Sequence, residues 1–411
     1  MKLGEDRGVR RDSLRPPGRR RPATAADTYL RPEPLEVATG WVYGSVPTSP
    51  FFQPPEPHGT PRDALDDAMR PALVAGPCYV SFSGGRDSSA ILAAATALAR
   101  REGHALPIPV TRVYPDLPDT DESEWQRLVI DHLGLTEWVR LELRDGESDL
   151  LGPTARGALE SRGLLWPPAL QTHGVMFEQL RGGSLLTGEG GDAVLGQRRI
   201  TALRVLMRRR RPDLMLLRHT AFAVLPRPVR QRIAERMARE SVQRRWLQPD
   251  AFKRHVKLVA ADFAAEPLHA GAATRSVARQ QSFATISHNH AAAAAEYRIR
   301  AFDPLLDERF VAALARAGGA TGFPGRTATM QALFSDVLPR EVLFRTSKAA
   351  FNRAHAGAAT REFARTWDGS GVDEELVDVE RLRAVWLSDQ PTMAAGVLLH
   401  QAWLASAGLA P

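Results

Sequence analysis

Ser83-Gly84-Gly85-Arg86-Asp87-Ser88-Ser89 follows the apolar run Cys78–Phe82 and leads into Ser88–Arg101, where Ile91, Leu92, Ala95, Leu98 and Ala99 recur at helical spacing. A glycine-rich turn between a strand and a helix is built to hold an anion. Two glycines let the backbone turn tightly and bring N–H groups close to a charge, and the helix N-terminus adds its own partial positive charge. Ser83, Ser88 and Ser89 offer hydroxyls to phosphate oxygens. Asp87 would repel a phosphate unless a cation sat between them, so it reads as a Mg²⁺ ligand. No lysine follows the glycines as it does in the usual phosphate-binding P-loop, so γ-phosphate transfer is not the expected chemistry. The plain alternative is a Gly-Ser turn that caps a helix; the strand before it and the helix after it weigh against that.

Outward from this loop the pattern alternates. Val110–Tyr114 reads as a strand and Asp121–Leu133 as a helix opened by acidic residues that suit its dipole. Glu137–Leu143 alternates like a strand, Leu170–Leu180 reads as helical, and Ser184–Thr187 as a buried strand. This β-α-β order predicts an α/β fold with a doubly wound parallel sheet. Before it, Pro61–Ala75 carries Leu65, Met69 and Leu73 on one helical face, and the Pro-rich run from Tyr29 to Thr60, with Trp41, Tyr43, Phe51 and Phe52, reads as an irregular arm or short edge strands. Beyond Gly196 the chain reads as helical to its end. The expected organisation is a disordered basic tail at 1–27, an arm and helix at 28–75, a nucleotide-binding α/β core at 76–197 and a mainly helical region at 198–411.

A second turn, Gly188-Glu189-Gly190-Gly191-Asp192, follows the strand Ser184–Thr187 at its C-terminal end, the edge where open α/β sheets take ligands. Asp192 lies 105 residues after Asp87, so only folding can bring the two carboxylates together to share a Mg²⁺ on a triphosphate. Alone, such a Gly/Asp turn is a common surface feature.

As a pair, the two turns resemble the signatures of the asparagine synthetase-like ATP pyrophosphatase family, the first its SGGxDS loop and the second its GEGGDE segment. The resemblance implies an adenine nucleotide α-hydrolase-like (PP-loop) fold and cleavage of ATP between the α and β phosphates. It further implies adenylation of a carboxylate with pyrophosphate release, followed by attack of an amine or ammonia to form an amide. In the implied nucleotide site are Ser83, Gly84, Gly85, Asp87, Ser88, Ser89, Gly188, Gly190 and Gly191, with Asp87 and Asp192 toward Mg²⁺. Glu189 is placed by resemblance near the activated carboxylate and amine, as a base or orienting group, with a structural turn residue as the alternative. Two departures stand out: Arg86 where the family is usually apolar, and Ala193 where it has a final Glu.

Further along, Ile299-Arg300-Ala301-Phe302-Asp303-Pro304-Leu305-Leu306-Asp307 is similar to the family's R-x-P-F-L-D segment, and Leu338–Phe351 to its LP…R-x-K-x-x-F ending. The resemblance spans about residues 60–355. It gives Lys348 the role of the lysine that stabilises negative charge on the phosphates. Arg345 stands one residue upstream of the usual arginine. Glutamine-dependent members begin with a nucleophilic cysteine, whereas here residue 2 is Lys and the one cysteine is Cys78. The expected nitrogen source is therefore free ammonia, an amine on the substrate or a separate glutaminase.

Bulk properties are ordinary for a soluble globular protein and add little. Of 411 residues, 44% are hydrophobic and 25% charged, with a formal net charge of +7. One cysteine excludes a disulfide framework and a Cys-based zinc site, and fits a cytoplasmic setting. No run approaches the roughly 18 apolar residues of a membrane span, so no membrane partner is expected, nor nucleic acid. The expected partner is a carboxylate substrate, small molecule or peptide, with a separate glutaminase or a leader-peptide-binding protein beside it. The Arg-rich segment 198–245, with Arg208–Arg211, Arg227, Arg230, Arg232, Arg244 and Arg245, fits an acidic peptide or a solvated face equally. β-Lactam synthetases and lasso-peptide cyclases are relatives lacking a working glutaminase half, which suggests specialised biosynthesis. The alternatives are asparagine formation from aspartate, a tRNA-modifying pyrophosphatase, against which the single cysteine and the second loop count, and a catalytically dead binding module.

Overall fold

The computed structural model describes residues 28–47, 59–144, 146–180, 182–208, 213–241, 244–347, 349, 351–389 and 391–409. Among these residues five parallel strands form one sheet: β1 (Cys78–Ser81), β2 (Ile108–Val113), β3 (Val139–Glu142), β4 (Gly183–Leu186) and β5 (Ile299–Phe302), in the order β3-β2-β1-β4-β5. Register pairs Val80 with Pro109 on one side and with Leu186 on the other, so β1 is central and Val80 is fully buried. Strands covered on both faces lose the polar alternation of a one-sided sheet, as Cys-Tyr-Val-Ser in β1 and Gly-Ser-Leu-Leu in β4 do.

The helices α1 (Pro34–Thr39), α2 (Pro61–Val74), α3 (Arg86–Glu102) and α4 (Ser123–Leu133) precede β3 or link the first strands. Thr60 caps α2 by accepting from the Asp63 N–H at 3.2 Å, while Asp63 reaches back to the Thr60 N–H at 2.7 Å. α3 is the central helix. Ala90 to Ala95 are all fully buried, and its alanines let α2, α4 and later helices approach closely. That core continues into Phe310, Leu314, Met330 and Phe334 of the C-terminal half, so the two halves share one hydrophobic interior.

Four local expectations change. The arm after Tyr29 contains a helix, α1, whose start is fixed by Glu36 accepting from the Glu33 N–H at 2.9 Å. The stretch Leu170–Leu180 divides into a 3₁₀ turn, Pro168–Thr172, and a short helix, Gly174–Gln179. A helix at Pro153–Arg162 was not foreseen. The region beyond Gly196 is mainly helical as expected, but Ile299–Phe302 leaves it to become the edge strand β5 on β4. Phe51, Phe52, the tail 1–27 and Arg209–Arg211 lie outside the described residues.

Candidate active site

The chain runs from β1 outward to β2 and β3, then returns to the other side of β1 as β4 and β5. The winding therefore reverses between β1 and β4, and a crevice opens at the C-terminal ends of those two strands. Both glycine-rich loops sit there, one after each strand. The cavity between them has a volume of about 460 Å³ and is lined by Ser83, Gly85, Asp87, Ser88, Gly188, Glu189, Gly190, Gly191 and Asp192, with arginines at its walls.

The first loop is held by its own serines. The Ser88 hydroxyl accepts from the Ser83 N–H at 3.2 Å and lies 3.1 Å from Ser83 Oγ, and the Gly85 N–H donates to Ser83 Oγ at 3.3 Å. Gly84 takes φ +82°, a conformation that L side chains rarely adopt. Ser89 is fully buried beneath the loop, does not line the cavity, and its Oγ has no hydrogen-bond partner among the described residues. Gly84 likewise stands outside the lining.

The second loop packs directly on the first. A Cβ added at Gly191 would come within 2.4 Å of Asp87 Cγ, and one at Gly188 within 2.8 Å of the Ser88 nitrogen. Gly188 is thus required by close backbone approach, and Gly191 by the room the Asp87 side chain takes. Gly190, at φ +79°, turns the chain against Leu306 of the segment after β5. That segment also supports Glu189: Thr187 Oγ1 accepts the Glu189 N–H at 3.1 Å and itself donates to Asp303.

Arg326, which nothing in the local sequence singles out, joins the two acidic loops. It opens the helix Arg326–Phe334, and its Nη2 donates to both Asp87 oxygens at 2.7 Å while its Nη1 pairs with Asp192. Two carboxylates 105 residues apart thus converge on one cation. Burial, only partly countered by Arg326, pushes the Asp87 carboxyl above its usual range. Glu189 is raised as well, by burial first and then by the Asp303 carboxylate.

Further arginines line the cavity. Arg86 turns toward the C-terminal half, donating to Thr327 Oγ1 at 3.2 Å and to the Leu343 carbonyl at 3.3 Å, and burial followed by its neighbour Arg326 lowers its pKa. Arg345 is buried. Its Nη1 donates to the Gly84 carbonyl at 2.8 Å, its Nη2 donates to Glu122 at 2.5 Å, and its guanidinium lies 4.6 Å from the Trp125 ring centre. Glu122 also accepts the Ala349 N–H at 2.8 Å. The displaced arginine of the family ending therefore fastens that ending to the first loop. Lys348, between these anchored residues, lies outside the described residues.

The geometry fits a Mg²⁺-bound nucleotide. Asp87 and Asp192 already share one cation, and Mg²⁺ takes one or two carboxylates with phosphate oxygens and water. Among the described residues no group of three or more His, Cys, Asp or Glu side chains could hold an ion by itself. Such an ion would have to share its coordination with the phosphates, where it would screen their charge. A family model described as asparagine synthase matches residues 60–405 of this chain. No curated protein matches it.

Proposed function

The chain belongs to the asparagine synthase family, and on that premise we propose that it adenylates a carboxylate with ATP, releases pyrophosphate, and passes the acyl group to an amine or ammonia. The supporting observation is the meeting of the two loops: hydroxyls and N–H groups for phosphate on one side of the cavity, and Asp87, Asp192 and Glu189 on the other. In this reading the Ser83–Ser88 turn holds the phosphates and Asp87 with Asp192 holds Mg²⁺. Arg86 and Lys348 offset charge on the departing pyrophosphate, in a site whose low dielectric strengthens each contact. Glu189, with its pKa raised, is suited to take a proton from the attacking amine.

Cys78 supplies no nitrogen chemistry. It is buried in β1, and burial pushes its thiol up to about 12, so it is neither accessible nor ionised at neutral pH. In this reading the nucleophile arrives as ammonia or as an amine. We place the activity in specialised, peptide- or β-lactam-like biosynthesis, with asparagine formation from aspartate as the second reading. The test is ATP–pyrophosphate exchange across a panel of carboxylates that includes aspartate and peptides with Asp or Glu side chains, with product analysis. AMP and pyrophosphate are expected. ADP and phosphate would overturn the reaction class, and Asp87→Ala should abolish exchange while leaving the unfolding midpoint near that of the parent.

A further inference from the structure

Residues 198–245 carry fifteen arginines and no lysine against Asp213, Glu235 and Glu240, more positive charge than the whole chain's net +7. This stretch and the helix that follows it also expose apolar side chains. Of fifteen large hydrophobic residues exposed among the described residues, eight fall between Met207 and Phe263. The helices involved are Thr201–Arg208, Leu214–Val224, Arg227–Ser241 and Pro249–Ala265. On Leu214–Val224 the inward positions are Thr220 and Ala223, while Leu214, Leu217, Ala221 and Val224 form an exposed stripe at i, i+3, i+7 and i+10. Leu214 is 72% exposed.

This arrangement is not a loosely packed edge. Arg199 ties the helix Leu214–Val224 to the body, donating to the Ala223 carbonyl at 2.5 Å and the Glu266 carbonyl at 2.7 Å. Arg230 donates to the Leu225 carbonyl at 2.7 Å and to the Ala264 carbonyl. Phe222 packs on Phe263 with ring centres 5.9 Å apart. The inward arginines thus fix the helices, and Arg218, Arg227, Arg232, Arg236 and Arg239 remain exposed on two of the helices that carry the apolar residues.

We infer that this face docks on an anionic lipid surface. Three observations choose the occupant. A second copy of the chain is disfavoured, since a two-fold contact would set the arginine-rich face against itself. The exposed apolar residues are spread over four helices, whereas one partner helix would cover a single seam. Arginine with exposed Leu, Met and Phe is the composition of interfacial helices, the guanidinium binding lipid phosphate while apolar side chains enter the acyl boundary. Attachment would be peripheral, because no helix among the described residues is long and apolar enough to cross a membrane.

The experiment is cosedimentation of the full chain with vesicles of phosphatidylcholine alone and of phosphatidylcholine mixed with phosphatidylglycerol. Binding to the mixed vesicles alone, weakening as salt is raised, is expected. Leu214→Asp with Leu217→Asp should weaken it at least about tenfold. Arg218→Gln and Arg232→Gln, made separately as surface changes that keep the fold, should each weaken it about fivefold. The proposal is overturned by absence of vesicle binding, or by binding to a Glu-rich amphipathic peptide and not to vesicles. It is equally overturned if binding survives these substitutions and is lost only when residues 1–27 are removed.

Discussion

Removing Arg345 should destabilise the protein far more than removing both members of its ion pair. The Arg345 and Glu122 side chains are 4% and 6% exposed, so neither charge can be rescued by water. Breaking a buried pair by deleting one partner costs about 3–5 kcal/mol, because the other charge stays buried and uncompensated. In Arg345→Met that charge is Glu122, and the Gly84 carbonyl loses its 2.8 Å donor too, an orphaned buried acceptor worth about 1–3 kcal/mol. The pair Arg345→Met with Glu122→Gln removes both charges, while the Gln carbonyl can still accept the Ala349 N–H. It should lie about 1–3 kcal/mol below the parent, the cost of the Gly84 carbonyl's lost donor, since uncharged replacement of the buried pair itself is often near neutral. Urea midpoints for the parent, both single variants and the double variant measure the coupling. If the double variant costs as much as the two single changes added together, the charges are not coupled and this account of the buried pair is wrong.

Gly191→Ala should abolish ATP binding with little loss of stability, because its Cβ would stand 2.4 Å from Asp87 Cγ and displace that carboxylate; isothermal titration with Mg·ATP beside thermal unfolding checks both halves. Glu189→Gln should raise the melting temperature at pH 8 but not at pH 4. Its raised pKa means the folded state holds a proton that the unfolded state has released, so the native residue loses stability as pH climbs from the ordinary carboxylate range through the raised value. Turnover by that variant should be severely reduced at every pH. Lys348→Ala should lower kcat about a hundredfold with ATP affinity little changed, the cost of a contact made chiefly in the transition state; an unchanged kcat, with Lys257→Ala as the control, would remove it from the site. Lowering the pH from 6.5 toward 4 should reduce the urea midpoint, since burial holds His255, His355 and His400 at about 4 and the unfolded chain binds protons they refuse.

The parts of the site legible in the sequence are those built from contiguous residues. Strand, turn and helix around Ser83–Ser89 follow from one apolar run, two glycines and a helical period, and Gly188–Asp192 repeats that logic after β4. What stayed hidden depends on side chains that arrive from elsewhere. Arg326 sits in an ordinary helix start, and only tertiary packing aims it at Asp87 and Asp192. Glu122 looked like one of several acids suiting the dipole of α4, yet its carboxylate is buried against Arg345. Arg345 donates to the Gly84 carbonyl 261 residues away, a contact that its place in the sequence ending does not announce. β5 escaped notice since four residues, Ile-Arg-Ala-Phe, carry too little alternation to outweigh the helices around them.

The origin of β5 bears on how the chain can be made. β4 ends at Leu186 and cannot gain its outer neighbour until Ile299–Phe302 has been synthesised, more than a hundred residues later. Closing so long a loop is entropically costly, and long-range parallel pairing is slow. On the ribosome the α/β half would wait with β4 as an exposed edge, open to wrong pairing. Its partner in the core, Phe310 and the helices after it, comes later still. A fragment cut near residue 197 would carry both glycine-rich loops yet lack the strand and interior that set their spacing. Splitting the chain just after Phe302 would leave the sheet whole but would still take Asp303, Leu306 and the core residues from Phe310 onward away from the loops, so completing the sheet and completing the site are separate late steps.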